Sequence, residues 1–125
     1  MLSIEEKEYF DKVVKSVLSD LDVRIPILPY AHETLEGKSK NAMGCAWSYD
    51  KNIVYQITID EDYISSCYLH YLWKNNMGGS PQYLGSSLEE VLFHEIAHMV
   101  HWRHGKKHTE LTQRLYLNYK NRSVA

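Results

Sequence analysis

Cysteine is scarce. Cys45 and Cys67 are the only two in 125 residues, which gives no disulfide framework to hold the fold. Long apolar runs are missing too: nothing approaches the roughly 18 consecutive apolar residues that span a membrane. The first residues, Met1-Leu2-Ser3-Ile4-Glu5-Glu6-Lys7-Glu8, are acidic and amphipathic. They lack the basic start and apolar core of a secretory signal, so the expected location is cytoplasmic. Repeats, linkers and low-complexity tracts are absent, and a single domain over residues 1–125 is expected. Basic residues dominate only the end. From His101 onward Arg103, Lys106, Lys107, Arg114, Lys120 and Arg122 face Glu110 alone. No aromatic residues interleave them in the manner of a nucleic-acid motif, and cations of this kind suit helix C-termini and solvated faces.

What the chain does have is typical of a globular protein, 44% hydrophobic and 24% charged residues, enough to build a real core at this length. Ten of the residues are Tyr, suited to half-buried positions where the ring packs and the hydroxyl finds a partner.

Ser3 and Glu6 make a capping box ahead of Phe10, Val13, Val14, Val17 and Leu18 at helical spacing, predicting a helix over about 4–20. Val23–Leu28 is apolar but holds Pro26, so an edge strand or extended connection is expected. Ala42–Tyr49 and Ile53–Ile59 flank the turn-forming Asp50-Lys51-Asn52 and read as a β-hairpin with one buried face. Asp60 can cap a helix over about 61–75. Ser87 and Glu90 form a second capping box, opening a helix over about 87–104 that Gly105 is expected to end. A last helical segment is expected over about 110–118. The fold class is α+β: a small antiparallel sheet packed against the N-terminal helix and the 87–104 helix.

That helix carries His94-Glu95-Ile96-Ala97-His98. At about 100° per residue the two imidazoles stand one turn apart on one face, opposite Leu88, Leu92, Ile96 and Met99. Two histidines at i and i+4 can share a zinc ion, and Glu95 on the flank can act as a general base without ligating. Zinc makes water acidic enough to attack at neutral pH and polarises a carbonyl.

A catalytic zinc site needs a third protein ligand and an open position. His101 lies about 7–8 Å up the axis from the midpoint of the pair, out of reach on a straight helix, and His104 is farther unless the helix breaks before it. The spacing echoes the metzincin pattern HExxHxxGxxH, but His101 stands where that pattern has glycine, and no methionine follows Met99. His108 is better placed, because a left-handed Gly105 would let the chain double back.

The segments His94-Glu95-Ile96-Ala97-His98, His101-Trp102-Arg103-His104-Gly105-Lys106-Lys107 and His108-Thr109-Glu110-Leu111 together resemble the SprT-like family of zincin metallopeptidases, the group that includes the Spartan proteases. Met43-Gly44 and the hairpin after it are similar to the family's glycine-started strand pair. The resemblance implies a zincin-like fold and a zinc-dependent hydrolase cutting peptide bonds. Its ligands would be His94, His98 and His108, its base Glu95, and its substrate an extended or unstructured polypeptide. A sheet-edge strand, Ile53–Ile59 or its neighbour, would pair with that substrate. Some relatives act on proteins crosslinked to DNA, which makes DNA a conceivable partner. The chain departs from the family in the short loop before His108, in the 61–75 helix with its Gly-Gly-Ser-Pro loop, and in lacking a zinc ribbon. Two alternatives remain open. One is a deformylase-like hydrolase with Cys45 as third ligand, since Met43-Gly44-Cys45-Ala46-Trp47-Ser48 faintly resembles that family's metal strand. The other is a non-catalytic zinc-binding module that contacts nucleic acid.

Overall fold

The computed structural model describes residues 1–124. Helix α1 (Ile4–Leu18) begins at the Ser3–Glu6 box, with the Glu6 amide 3.1 Å from Ser3 Oγ and the Ser3 amide 2.8 Å from Glu6 Oε1. It buries Phe10 and Val17. Strand β1 (Ile27–Tyr30) pairs parallel with β3 (Val54–Asp60), and β2 (Gly44–Ser48) pairs antiparallel with the other side of β3. The sheet order is β1-β3-β2.

This mixed sheet corrects the expected antiparallel one. Residues 31–43, which include 3-10 turns at His32–Thr34 and Gly37–Asn41, carry the chain past β3 before β2 begins. A crossover of this kind leaves no tight-turn signal, unlike a hairpin. β1 starts later than the Val23–Leu28 stretch expected and is an edge strand: its Pro29 has no amide to donate, and Pro26, just before it, offers its carbonyl to the Ile57 amide at 3.0 Å.

The β2–β3 hairpin closes through Asp50, whose Oδ1 accepts from the Asn52 and Ile53 amides at 2.9 and 3.0 Å. Lys51 takes the left-handed conformation, φ 65°. The expected alternation holds only in the second half of β3. Ile57 and Ile59 are fully buried, but Ile53 is exposed and Val54 buried, because a bulge beside Trp47 and Ser48 resets the register. Nor is one face of β3 left to solvent. Thr58 is buried beneath His32 and Trp47.

Helix α2 (Glu61–Lys74) is capped by Asp60, whose carboxylate accepts from the Tyr63 amide. It ends where Gly79 (φ 70°) passes so close that a Cβ there would sit 2.3 Å from the Leu69 carbonyl oxygen. Helix α3 (Leu88–Ala97) runs through the centre of the core, burying Leu88, Val91, Leu92, Phe93, Ile96 and Ala97. Helix α4 (Lys106–Val124) starts earlier and runs longer than the sequence suggests. It lies across α3 and reaches α1. The Phe93 ring meets Tyr116 and Tyr119 edge-on, Ser16 Oγ lies 3.0 Å from the Tyr119 hydroxyl, and Arg122 pairs with Asp20. Among the described residues no helix is long and apolar enough to cross a membrane.

Candidate metal centre

The helix that carries the motif stops at Ala97, not near residue 104. His98 is its C-cap, and the backbone tightens there: the His98 amide bonds the Glu95 carbonyl at 3.1 Å and the Met99 amide the Ile96 carbonyl at 3.0 Å. Gly105 does not end this helix in a left-handed conformation. Its carbonyl instead accepts from the Thr109 amide at 3.0 Å, so it starts α4. Residues 98–105 therefore fold back over the end of α3, and α4 leaves alongside it.

The reversal gathers imidazoles. His94, His98 and His108 each offer one ligand atom, all within 4.8 Å of one another, and are positioned to bind a metal ion. Ring centroids of His108 lie 4.5 Å from His94 and 4.2 Å from His98. His108 is buried, and its Nε2 donates to the His94 carbonyl at 2.9 Å. That bond leaves Nδ1 as the ring's free ligand atom and fixes the ring, as partners of metal-bound histidines do.

His104, excluded on a continuous helix, also arrives. Its Nε2 lies 3.1 Å from His94 Nε2 and 3.0 Å from His98 Nε2, although its residue is exposed. The early helix end is the signal the sequence reading missed. His101 and Cys45 are not part of the gathered group. Cys45 is half-buried on β2, and burial holds its thiol above its usual pKa, partly offset by the Ser39 side chain.

The electrostatics suit a cation. Burial pushes the pKa values of His94 and His98 down to about 4, with the neighbouring imidazoles adding to the effect. His108 moves in the same direction, again chiefly by burial. All three are then neutral at pH 7, the protonation state that ligates. The His98 Nδ1 is buried without a hydrogen-bond partner. That nitrogen is not the one that meets the other imidazoles, which is Nε2; the fit rests on the donor set, three neutral imidazoles close enough to share one divalent ion.

Glu95 completes the centre. Its side chain is buried, and that burial pushes its pKa up to about 8. Oε1 lies 3.9 Å from His98 Nε2, yet the opposite shifts leave both groups neutral near pH 7, so the contact is no ion pair. Gly44 makes the room. A Cβ on it would lie 2.9 Å from Glu95 Cγ, 3.0 Å from Oε2 and 3.0 Å from Val91 Cγ1. Around these groups opens a cleft of about 1050 Å³, walled by β2 on one side and α3, α4 and Trp102 on the other.

Comparisons with protein-family models, with curated proteins and with solved structures gave no match for this chain.

Proposed function

We propose that this chain is a zinc-dependent metallopeptidase of the SprT-like kind, acting in the cytoplasm on extended polypeptide. The observation that carries the reading is a buried carboxyl, Glu95, held against a cluster of neutral imidazoles on the wall of an open cleft. Zinc, when bound, would acidify a water molecule and polarise the scissile carbonyl. His94, His98 and His108 would hold it. Glu95, ionised beside the bound cation, would take a proton from the attacking water and deliver it to the leaving amine. β3 is paired on both sides, so the strand free to align a substrate backbone is β2, whose open edge adjoins the cleft.

One observation favours a second reading. His104 brings a fourth imidazole to the same point, and four protein ligands close a zinc site for structural use. Hydrolysis of casein by zinc-loaded protein, with and without DNA, separates the two. Cleavage that needs zinc and disappears in Glu95→Gln supports the peptidase. Full zinc occupancy with no cleavage in either condition refutes it and favours the closed site.

A further inference from the structure

On the sheet face turned away from α3, three segments meet in a buried polar chain. His32 is fully buried, with Nδ1 2.7 Å from the Ala42 carbonyl oxygen and Nε2 2.8 Å from Thr58 Oγ1. The Trp47 indole donates to the same hydroxyl at 2.8 Å. Valence sets the directions. Facing a carbonyl, Nδ1 carries the proton. Nε2 then accepts from the Thr58 hydroxyl, whose oxygen accepts from the indole. The His32 amide donates to Asp60 Oδ1 at 3.1 Å, tying the turn to the residue that caps α2.

Both ends of this chain belong to the cleft, since Ala42 and Trp47 line it. Trp47 sits on β2, the edge strand, beside the bulge. An edge strand is held by one neighbour only, so contacts on its outer face decide where it lies. We propose that the bonded pair His32–Thr58 positions substrate. Its Thr58 hydroxyl pins the Trp47 indole and its His32 ring meets the approach to β2 at Ala42, keeping the wall opposite the imidazoles fixed for an extended polypeptide. The proposal takes the cleft to be the peptide site, as in the reading above.

Its test is binding, read apart from turnover: dye-labelled casein titrated onto zinc-loaded Glu95→Gln by fluorescence anisotropy. Adding Thr58→Val removes both hydroxyl bonds and should weaken binding about tenfold, the scale of one lost buried hydrogen bond. Thr58→Ser should restore it. In a Trp47→Phe background Thr58→Val should add nothing further, because its effect passes through the indole. The indole N–H resonance of Trp47 should move in Thr58→Val and stay in Thr58→Ser, with zinc content unchanged in both. Should Thr58→Val fail to fold, Trp47→Phe alone, which keeps a ring but loses the pin, must weaken binding.

Unaltered casein affinity in Thr58→Val and Trp47→Phe, additive effects in the double variant, or no casein binding at all overturns the proposal. Casein bound in this pattern but never cleaved by zinc-loaded wild type removes the peptidase reading and leaves the His32–Thr58 pair its role. Zinc-dependent cleavage with affinity indifferent to Thr58 does the reverse.

Discussion

Gly44→Ala probes how closely the cleft wall is fitted to the proton carrier. Gly44 has no left-handed φ, so alanine brings no backbone strain there. What it brings is a methyl group 2.9 Å from Glu95 Cγ and 3.0 Å from both Oε2 and Val91 Cγ1. Contacts this short force a shift. Val91 and Glu95 are buried on the central helix, so the strain divides between β2 moving outward and the carboxyl turning. Overpacking of this kind costs about 1–3 kcal/mol, offset in part by the gain of about 0.5–1 kcal/mol from replacing glycine in a strand. A net loss of about 1–2 kcal/mol should lower Tm by about 3–10 °C at this chain length. The larger effect falls on catalysis. A carboxyl displaced by about 1 Å costs up to about 100-fold in kcat, while zinc stoichiometry should hold because the methyl's three nearest atoms belong to Glu95 and Val91 and not to an imidazole. Casein cleavage rates, zinc content by elemental analysis and a thermal melt are measured on the same preparation. A kcat within twofold of wild type, with Tm lowered as expected, would refute the claim that Gly44 positions the proton carrier.

Removing His104 and His108 one at a time assigns the third ligand. Loss of a ligand should abolish stoichiometric zinc binding, whereas loss of an orienting partner weakens it only about 10–100-fold. His108→Ala is expected to do the former and His104→Ala the latter, and the opposite result in competition titrations with a chelating dye transfers the ligand role to His104. Metal-free protein should be most stable near pH 6.5. Between about pH 4 and 6.5 the unfolded chain binds protons at His94 and His98 that the folded chain refuses, so stability rises with pH there. From about 4.5 to 8 the folded chain alone keeps the Glu95 proton, which partly offsets that rise below 6.5 and makes stability fall above it. Chemical denaturation in EDTA checks this, and Glu95→Gln should flatten the alkaline limb and steepen the acidic one. Leu92→Ala, at a fully buried site on the central helix, should cost about 2–5 kcal/mol in the same experiment; a loss under 1 kcal/mol contradicts the assigned core.

The sequence made local features legible. Both capping boxes, at Ser3–Glu6 and Ser87–Glu90, form with both of their hydrogen bonds, because each depends only on residues three apart. The hairpin was readable for the same reason, through Asp50 and the apolar β3. Pairings between distant segments were not. Nothing in Ile27–Tyr30 says that it will lie parallel to β3, since the choice is made by a crossover whose own residues show no periodicity. His32 carries no local signal either; its partners, Ala42 and Thr58, are 10 and 26 residues away. That the His94 and His98 imidazoles would lie close together was readable from one helical turn. The role of Gly44 depends on how two separate elements approach, and only packing reveals it.

The early end of α3 ties these points together. Leu88, Leu92 and Ile96 repeat on one stripe, and a pattern-based reading extends the helix through Met99 to Gly105. In the fold, Leu88, Val91, Leu92, Phe93, Ile96 and Ala97 are buried on nearly every side, whereas Val100 is exposed and His101 and Trp102 only partly covered. A helix stays regular while packing rewards each further turn, and past Ala97 little core remains to cover. The chain is therefore free to reverse, and the reversal delivers His104 and His108 to the two motif imidazoles. The result gathers three imidazoles beside a buried carboxyl that burial keeps protonated near neutral pH. The local helical pattern yields to tertiary packing here, and the places of His104 and His108 follow from where the core ends.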